Sequence, residues 1–349
     1  MLPMAVLEAL RESVDKASDS AFGENKRAVL FGTVDSQDAA GQIDRFVART
    51  LATRITEVLF LKMASACAAG LKLSDGRSVF LKIHAGELDL DQLHAVHDAQ
   101  GFLRERGIPA ARLVLPATEF GNGKFATVHA FRSRGDRARA YHRGTIEGAA
   151  AMLARIVEGG RAFPLRSSIP DMFAAGTSPL KARAPGIAEP PPLPPAERAS
   201  AVLEKVKLHG QAISGDRVIA HDDYASRNLR FSDGEVSSVF DFEALRGGVE
   251  PVLVGRASIQ FINEPSGVRD PAAAAVKFVR AYENSARRMF EGEAAAALDA
   301  GVALSVAQFC RSLVRSDGAR DEDAPKIFAN FMERFRATLG REYPKNPFI

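Results

Sequence analysis

The chain has 349 residues, with 46 Lys and Arg against 43 Asp and Glu, for a net charge of only +3. That balance excludes a nucleic-acid-coating protein, and 46% hydrophobic residues exclude a chain disordered by composition. The only two cysteines, Cys67 and Cys310, exclude a disulfide framework and a cysteine zinc site, and they point to a reducing cytoplasm. The length suggests two domains, or one large domain in lobes. At the N-terminus Glu8 and Arg11 interrupt the apolar residues before a signal peptide could develop. No later stretch approaches the roughly 18 uncharged apolar residues of a membrane span, so no membrane partner is expected.

Helical spacing comes first. Val6, Leu7, Leu10 and Val14 form one stripe, and Ile43, Phe46, Val47 and Leu51 form another, so residues 1–55 read as a helical extension. Val58 to Leu61 then reads as a strand, followed by the small residues Met63-Ala64-Ser65-Ala66. Ala69 to Leu73 and Val79 to Ile83 flank Ser74-Asp75-Gly76-Arg77, where Asp-Gly marks a hairpin. Asp89 to Arg106 is helical and ends at Gly107. Arg112 to Ala117 and Lys124 to Phe131 are two more strands, joined through Gly121-Asn122-Gly123. Residues 56–130 therefore form a small α+β unit with a five-stranded antiparallel sheet.

Residues 131–349 read as a mostly helical unit. Ile146 to Val157 and Ala196 to Ile213 are helices, and Pro190 to Pro195 within the Pro-rich stretch is an extended connector. The last hundred residues return to helical spacing, and no internal repeat is present.

One segment carries chemistry. After the strand at Val218 come His221-Asp222-Asp223-Tyr224-Ala225-Ser226-Arg227-Asn228. Leu229 to Phe231 and Val236 to Phe240 then form a hairpin closed by Ser-Asp-Gly, and Asp241 follows. A hairpin brings its ends together, so Asn228 and Asp241 should lie side by side. One amide and one carboxylate oxygen suit Mg²⁺, which keeps waters and takes few protein ligands. Asp223 faces the same point. A carboxylate to deprotonate a hydroxyl, with an Asn and an Asp to hold a metal, is what phosphoryl transfer needs.

The pattern His-x-Asp-x-x-x-x-Asn, followed by Phe-Asp-Phe-Glu, resembles the catalytic and metal-binding loops of the aminoglycoside phosphotransferase / choline-kinase-like family. The resemblance covers about residues 57–310 and implies a two-lobed protein-kinase-like fold. It also implies ATP as co-substrate, with GTP left open, Mg²⁺ as cofactor, and a small hydroxylated molecule as acceptor. It makes Asp223 the base and gives His221 the task of orienting the loop. It makes Lys82, within Val79-Phe80-Leu81-Lys82-Ile83 on the third strand, the lysine that contacts the α- and β-phosphates. Asp98 stands in for the helix glutamate that pairs with this lysine in the family. Ser65 offers a hydroxyl to a phosphate in a loop that lacks the family's glycines.

A further departure follows Asp241. The family commonly places an Asp about a dozen residues on, bracing the catalytic loop, but Glu250-Pro251-Val252-Leu253-Val254-Gly255-Arg256-Ala257 contains none. Asp222 also replaces the usual small residue or arginine after the histidine. A nucleotide-binding scaffold without turnover is the rival reading, and a metal-dependent hydrolase with His221, Asp222 and Asp223 as ligands is a second. Asp222, Asp223, Glu243 and Glu250 slightly favour a cationic acceptor. Asp91, His94 and His97 share a helix face read as exposed, and the arginines from Arg132 to Arg139 read as a solvated run. Cys67 and Cys310 read as buried apolar side chains.

Overall fold

The computed structural model describes residues 4–18, 23–64, 66–85, 89–132, 134–137, 140, 142–164, 168–172, 196–263, 268–316 and 319–341. Ser65, Arg139 and the Pro190 to Pro195 run lie outside the described residues. The chain forms two compact units. Among the described residues, one contains those within 4–97 and 111–132, and the other those within 98–110, 134–172 and 196–341.

The first unit opens with α1 (Met4–Ala17), α2 (Gly23–Phe31) and α3 (Ser36–Leu51), followed by β1 (Ile55–Met63), β2 (Ala66–Leu73) and β3 (Ser78–His84). After α4 (Leu90–Glu105), β4 (Leu113–Gly121) and β5 (Lys124–Ala130) complete an antiparallel sheet of order β1-β2-β3-β5-β4. All five strands expected from the sequence are present. β1 and β2 are longer than expected, because pairing of Met63 with Cys67 draws both ends of the anticipated loop, Met63 and Ala66, into the strands. The side chain of Asp35 caps α3 by accepting from the Gln37 N–H at 2.8 Å.

Alternation along the strands divides the sheet. Val79, Leu81 and Ile83 of β3 point to one face, where they share a core with Leu10 and Val14 of α1 and Ile43, Phe46 and Val47 of α3. Burying each such side chain is worth on the order of 1.5–3 kcal/mol. The N-terminal helices are therefore structural members of this unit. On the opposite face, Phe60, Gly70, Phe80 and His129 form one cross-strand row. Ala68, Lys82 and Thr127 form the next.

The second unit holds α5 (Thr145–Gly160), α6 (Glu197–Gln211), α7 (Glu250–Ile262), α8 (Pro271–Ala286), α9 (Glu293–Ser316) and α10 (Ala324–Leu339). Two short antiparallel ladders accompany them. β6 (Arg217–His221) pairs with β9 (Leu245–Val249), and β7 (Leu229–Ser232) pairs with β8 (Glu235–Val239). α7 is buried along almost its whole length and packs against α8 and α9. At the crossing with α9 the backbones touch: a Cβ on Gly301 would lie 2.0 Å from the Val252 carbonyl oxygen, and one on Gly255 2.3 Å from that of Leu298. Among the described helices, α9 alone is long and apolar enough by length and composition to cross a membrane. That stretch is 72% buried within the fold, as a core helix of this unit is.

Candidate active site

The sequence builds this site from two ladders that share one segment. His221 ends β6 opposite Leu245 of β9, while Leu229 and Val239 pair at the open end of β7 and β8. Residues 222–228 and 240–244 are thereby fastened together at both ends. The hairpin turn is the two-residue loop Asp233-Gly234, both at positive φ (54° and 81°), the backbone that a tight turn between twisted strands requires. At the hairpin's base the Phe240 N–H donates to the Asn228 carbonyl at 2.9 Å. Asn228 and Asp241 are thus set on adjoining strand ends, as the sequence spacing anticipates.

Asp241 is exposed and adopts a left-handed backbone, φ 59° and ψ 46°. Such a conformation is costly for a side-chain-bearing residue and is least so for Asp and Asn. A 3₁₀ turn, Phe242–Ala244, follows directly.

His221 is 2% exposed, with the rings of Tyr224 and Phe242 edge-on to it. Its Nδ1 accepts from the Asp223 N–H at 3.2 Å, which leaves Nε2 to carry the proton and donate to the Phe240 carbonyl at 2.7 Å. Both nitrogens are committed to backbone, so His221 ties the Asp223 backbone to the residue preceding Asp241. That geometry fits neither a base nor a metal ligand.

Asn228 uses its Nδ2 on Asp223, donating to the backbone carbonyl at 2.8 Å and to Oδ2 at 2.9 Å. With the nitrogen so used, its Oδ1 is the end suited to a hard cation. An amide oxygen and a carboxylate on these adjoining strand ends are hard donors of the kind that would suit a cation such as Mg²⁺. Among the described residues no group of three or more His, Cys, Asp or Glu could hold a metal. Mg²⁺ takes few protein ligands, so two oxygen donors do not disqualify such a site.

The Asp223 carboxylate also receives Arg227, whose Nη2 lies 2.6 Å from Oδ1 and 2.8 Å from Oδ2. Asp222 is half-buried and pairs with Arg256 on α7. Glu250 is buried within an ion network of Arg161 and Arg288 and accepts from the Tyr282 hydroxyl. These two carboxylates are neutralised inside the fold, so the acidic count that made a cationic acceptor attractive loses two of its four members. Burial pushes the Arg246 guanidinium below its ordinary value, with Arg256 adding repulsion and Asp222 and Asp241 offsetting part of it.

Of the remaining sequence candidates, Lys82 is half-buried on β3, on the face away from the apolar core. Asp98 is exposed on α4. Ser65 lies outside the described residues. His97 is a correction: it is 6% exposed and packs edge-on against His129, 5.5 Å between ring centroids, so it does not belong to a solvated face. Arg256 and Gln260 of α7 reach this loop across more than thirty residues, a contact with no signal in the sequence, although Arg256 stands in the run where the family's bracing acid is missing.

Comparison with known proteins gives the family and the fold. The family model of the phosphotransferase enzyme family matches residues 71–248, just over half of the chain. Amicoumacin kinase hAmiN, solved with AMP-PNP, Ca²⁺ and Ami, is similar at TM-score 0.61 and 14% identity, covering 89% of this chain and 98% of its own. An aminoglycoside phosphotransferase from Alicyclobacillus acidocaldarius gives 0.51 and 13%, covering 82% and 91%. A microcompartment-associated aminopropanol kinase gives 0.52 and 14%, covering 82% and 94%. These likenesses give the fold, a protein-kinase-like α+β architecture. No curated protein matches the chain at a significant level.

Proposed function

The chain belongs to the phosphotransferase enzyme family, and we propose that it is a small-molecule kinase, moving the γ-phosphoryl group of ATP to a hydroxyl of a small metabolite. Asp223 orients the acceptor hydroxyl and takes its proton. The acceptor oxygen then bonds to the γ-phosphorus as the bond to the bridging oxygen breaks, and ADP leaves. Asn228 and Asp241 would hold Mg²⁺, which, when bound, would neutralise the charge of the transferring phosphates. Lys82 balances charge on the α- and β-phosphates, and His221 keeps Asp223 and Asp241 in register. Catalysis in such a site is chiefly positioning and electrostatic stabilisation. A cytoplasmic setting suits the two buried thiols.

The observation that carries the reading is the pair of hydrogen bonds of His221, accepted from the Asp223 N–H and donated to the Phe240 carbonyl, with Asn228 donating to Asp223 from the base of the hairpin. Residues 221–228 and the strand end at Phe240 are thereby locked into one constellation. The hydrolase alternative needs His221 nitrogens that the backbone already occupies. Thermal unfolding with ATP, GTP or neither, each with and without Mg²⁺, tests the proposal. A native-state ligand at about 100 times its Kd adds roughly 2.7 kcal/mol. Mg²⁺-dependent stabilisation, followed by ADP release with a hydroxylated acceptor, supports it; no response to any nucleotide refutes it.

A further inference from the structure

The two residues flanking Asp223 are both held by α7. Arg256, 5% exposed, donates from Nε to Asp222 Oδ1 at 2.5 Å and from Nη1 to Gln308 Oε1 of α9 at 3.2 Å. One turn further on, Gln260 accepts from the Tyr224 N–H at 3.0 Å through Oε1 and donates through Nε2 to the Asp222 carbonyl. The Asp222 N–H donates to the Ala244 carbonyl at 2.8 Å, and the Tyr224 hydroxyl to the Ala149 carbonyl of α5 at 2.8 Å. Asp222 and Tyr224 thus have both backbone and side chain fixed, while the Asp223 side chain between them remains 35% exposed. The backbone contact of Gly255 and Gly301 presses α7 against α9, beside the point where Arg256 reaches Gln308.

We propose that Arg256 and Gln260 are the positioning residues of the phosphoryl transfer. They clamp the backbone on either side of Asp223 and so fix where its carboxylate meets the acceptor hydroxyl. The task the family commonly gives to an acid after the metal aspartate is met here with the charges exchanged: the cation is on the helix and the carboxylate, Asp222, is in the loop. This role rests on Asp223 being the base. Removing one member of a buried ion pair leaves an uncompensated charge, whereas replacing both leaves a neutral pair. Gln260 is uncharged and bonds only to backbone in the loop, so it separates holding the loop from general stability.

The test uses the full-length protein. Gln260→Met keeps the volume and removes both bonds. Expected is a loss of Tyr224 amide protection of at least about tenfold in ligand-free hydrogen exchange, with β6 and β8 unchanged. In MgATP-dependent ADP release, kcat should fall at least about tenfold while KM for ATP stays within about twofold. Leu203→Ala on α6, chosen to lower the melting temperature comparably, should move neither. Arg256→Gln should likewise lower kcat about tenfold, and adding Asp222→Asn should restore it to within about threefold through a neutral hydrogen bond; this pair serves if Gln260→Met fails to fold. Unchanged Tyr224 protection, a kcat loss no larger than in Leu203→Ala, or no rescue by the double variant overturns the proposal. A wild-type protein that neither binds nucleotide nor releases ADP overturns the kinase reading instead, and the exchange measurement still decides whether Gln260 holds the loop.

Discussion

The guanidinium of Arg227 lies across both carboxylate oxygens of Asp223, at 2.6 and 2.8 Å, four residues along the same loop. The acceptor hydroxyl of the proposed reaction must approach that same carboxylate. Arg227 is 57% exposed, and such solvent-facing pairs are worth about 0.2–1 kcal/mol, a few-fold population bias. Displacing it therefore costs little. Arg227→Gln is expected to change kcat for ADP release by less than about threefold and to leave the melting temperature unaltered. A loss of about a hundredfold would instead place the guanidinium on the transferring phosphoryl group.

Asp223→Asn keeps the shape of the side chain and removes its ability to take a proton. Turnover should fall by about 10²–10⁴, the usual contribution of a positioned base. Nucleotide binding, measured by the Mg²⁺-dependent thermal shift, should persist. Full turnover in this variant would remove Asp223 from the mechanism.

The left-handed backbone of Asp241 dictates which substitution is informative. Alanine there adds strain to the loss of the carboxylate, whereas Asn tolerates the conformation. Asp241→Asn should therefore melt within a few degrees of wild type while losing most of the Mg²⁺-dependent part of the nucleotide shift. Isothermal titration of MgATP against metal-free ATP separates the two effects.

Both cysteines should resist modification in the folded state. Burial pushes the Cys67 thiol up to about 12 and the Cys310 thiol up to about 11, so neither forms much thiolate at neutral pH. Thiol reagents should react only as fast as the protein opens, and denaturant should expose two equivalents. The sign of the linked pH effect follows. The unfolded chain releases these protons near the ordinary value of 9.0, before the folded one, so stability is undiminished below that pH and falls through the range 9 to 12. Rapid labelling of the native protein at pH 7 would contradict this burial.

Local pattern made much of this molecule legible. Alternating apolar residues and the Asp-Gly and Asn-Gly turns located the sheet strands, and helical spacing located the faces of α1 and α3. The adjacency of Asn228 and Asp241 followed from the hairpin alone. β9 was not legible, because Leu245-Arg246-Gly247-Gly248-Val249 has two glycines and a buried arginine where a strand signal would need β-branched residues. The pairing of Asp222 with Arg256 spans 34 positions and depends on which face of α7 meets the loop. His97 looked solvated for a related reason: its neighbour His129 arrives from a strand 32 positions away, and charge pattern along one helix carries no trace of it.

The shared core of α1, α3 and the sheet bears on how this protein can be handled. A chain trimmed to begin at Ile55 would retain every residue assigned to the chemistry, and sequence inspection would pass it as a tidy minimal enzyme. Leu71, Leu81, Ile83 and Val128 would then face water as one broad oily surface, with paired strands beneath it. Such a fragment would collect in inclusion bodies, and its silence in an assay would be mistaken for absence of activity. Affinity tags belong ahead of Met4, with the three helices kept whole.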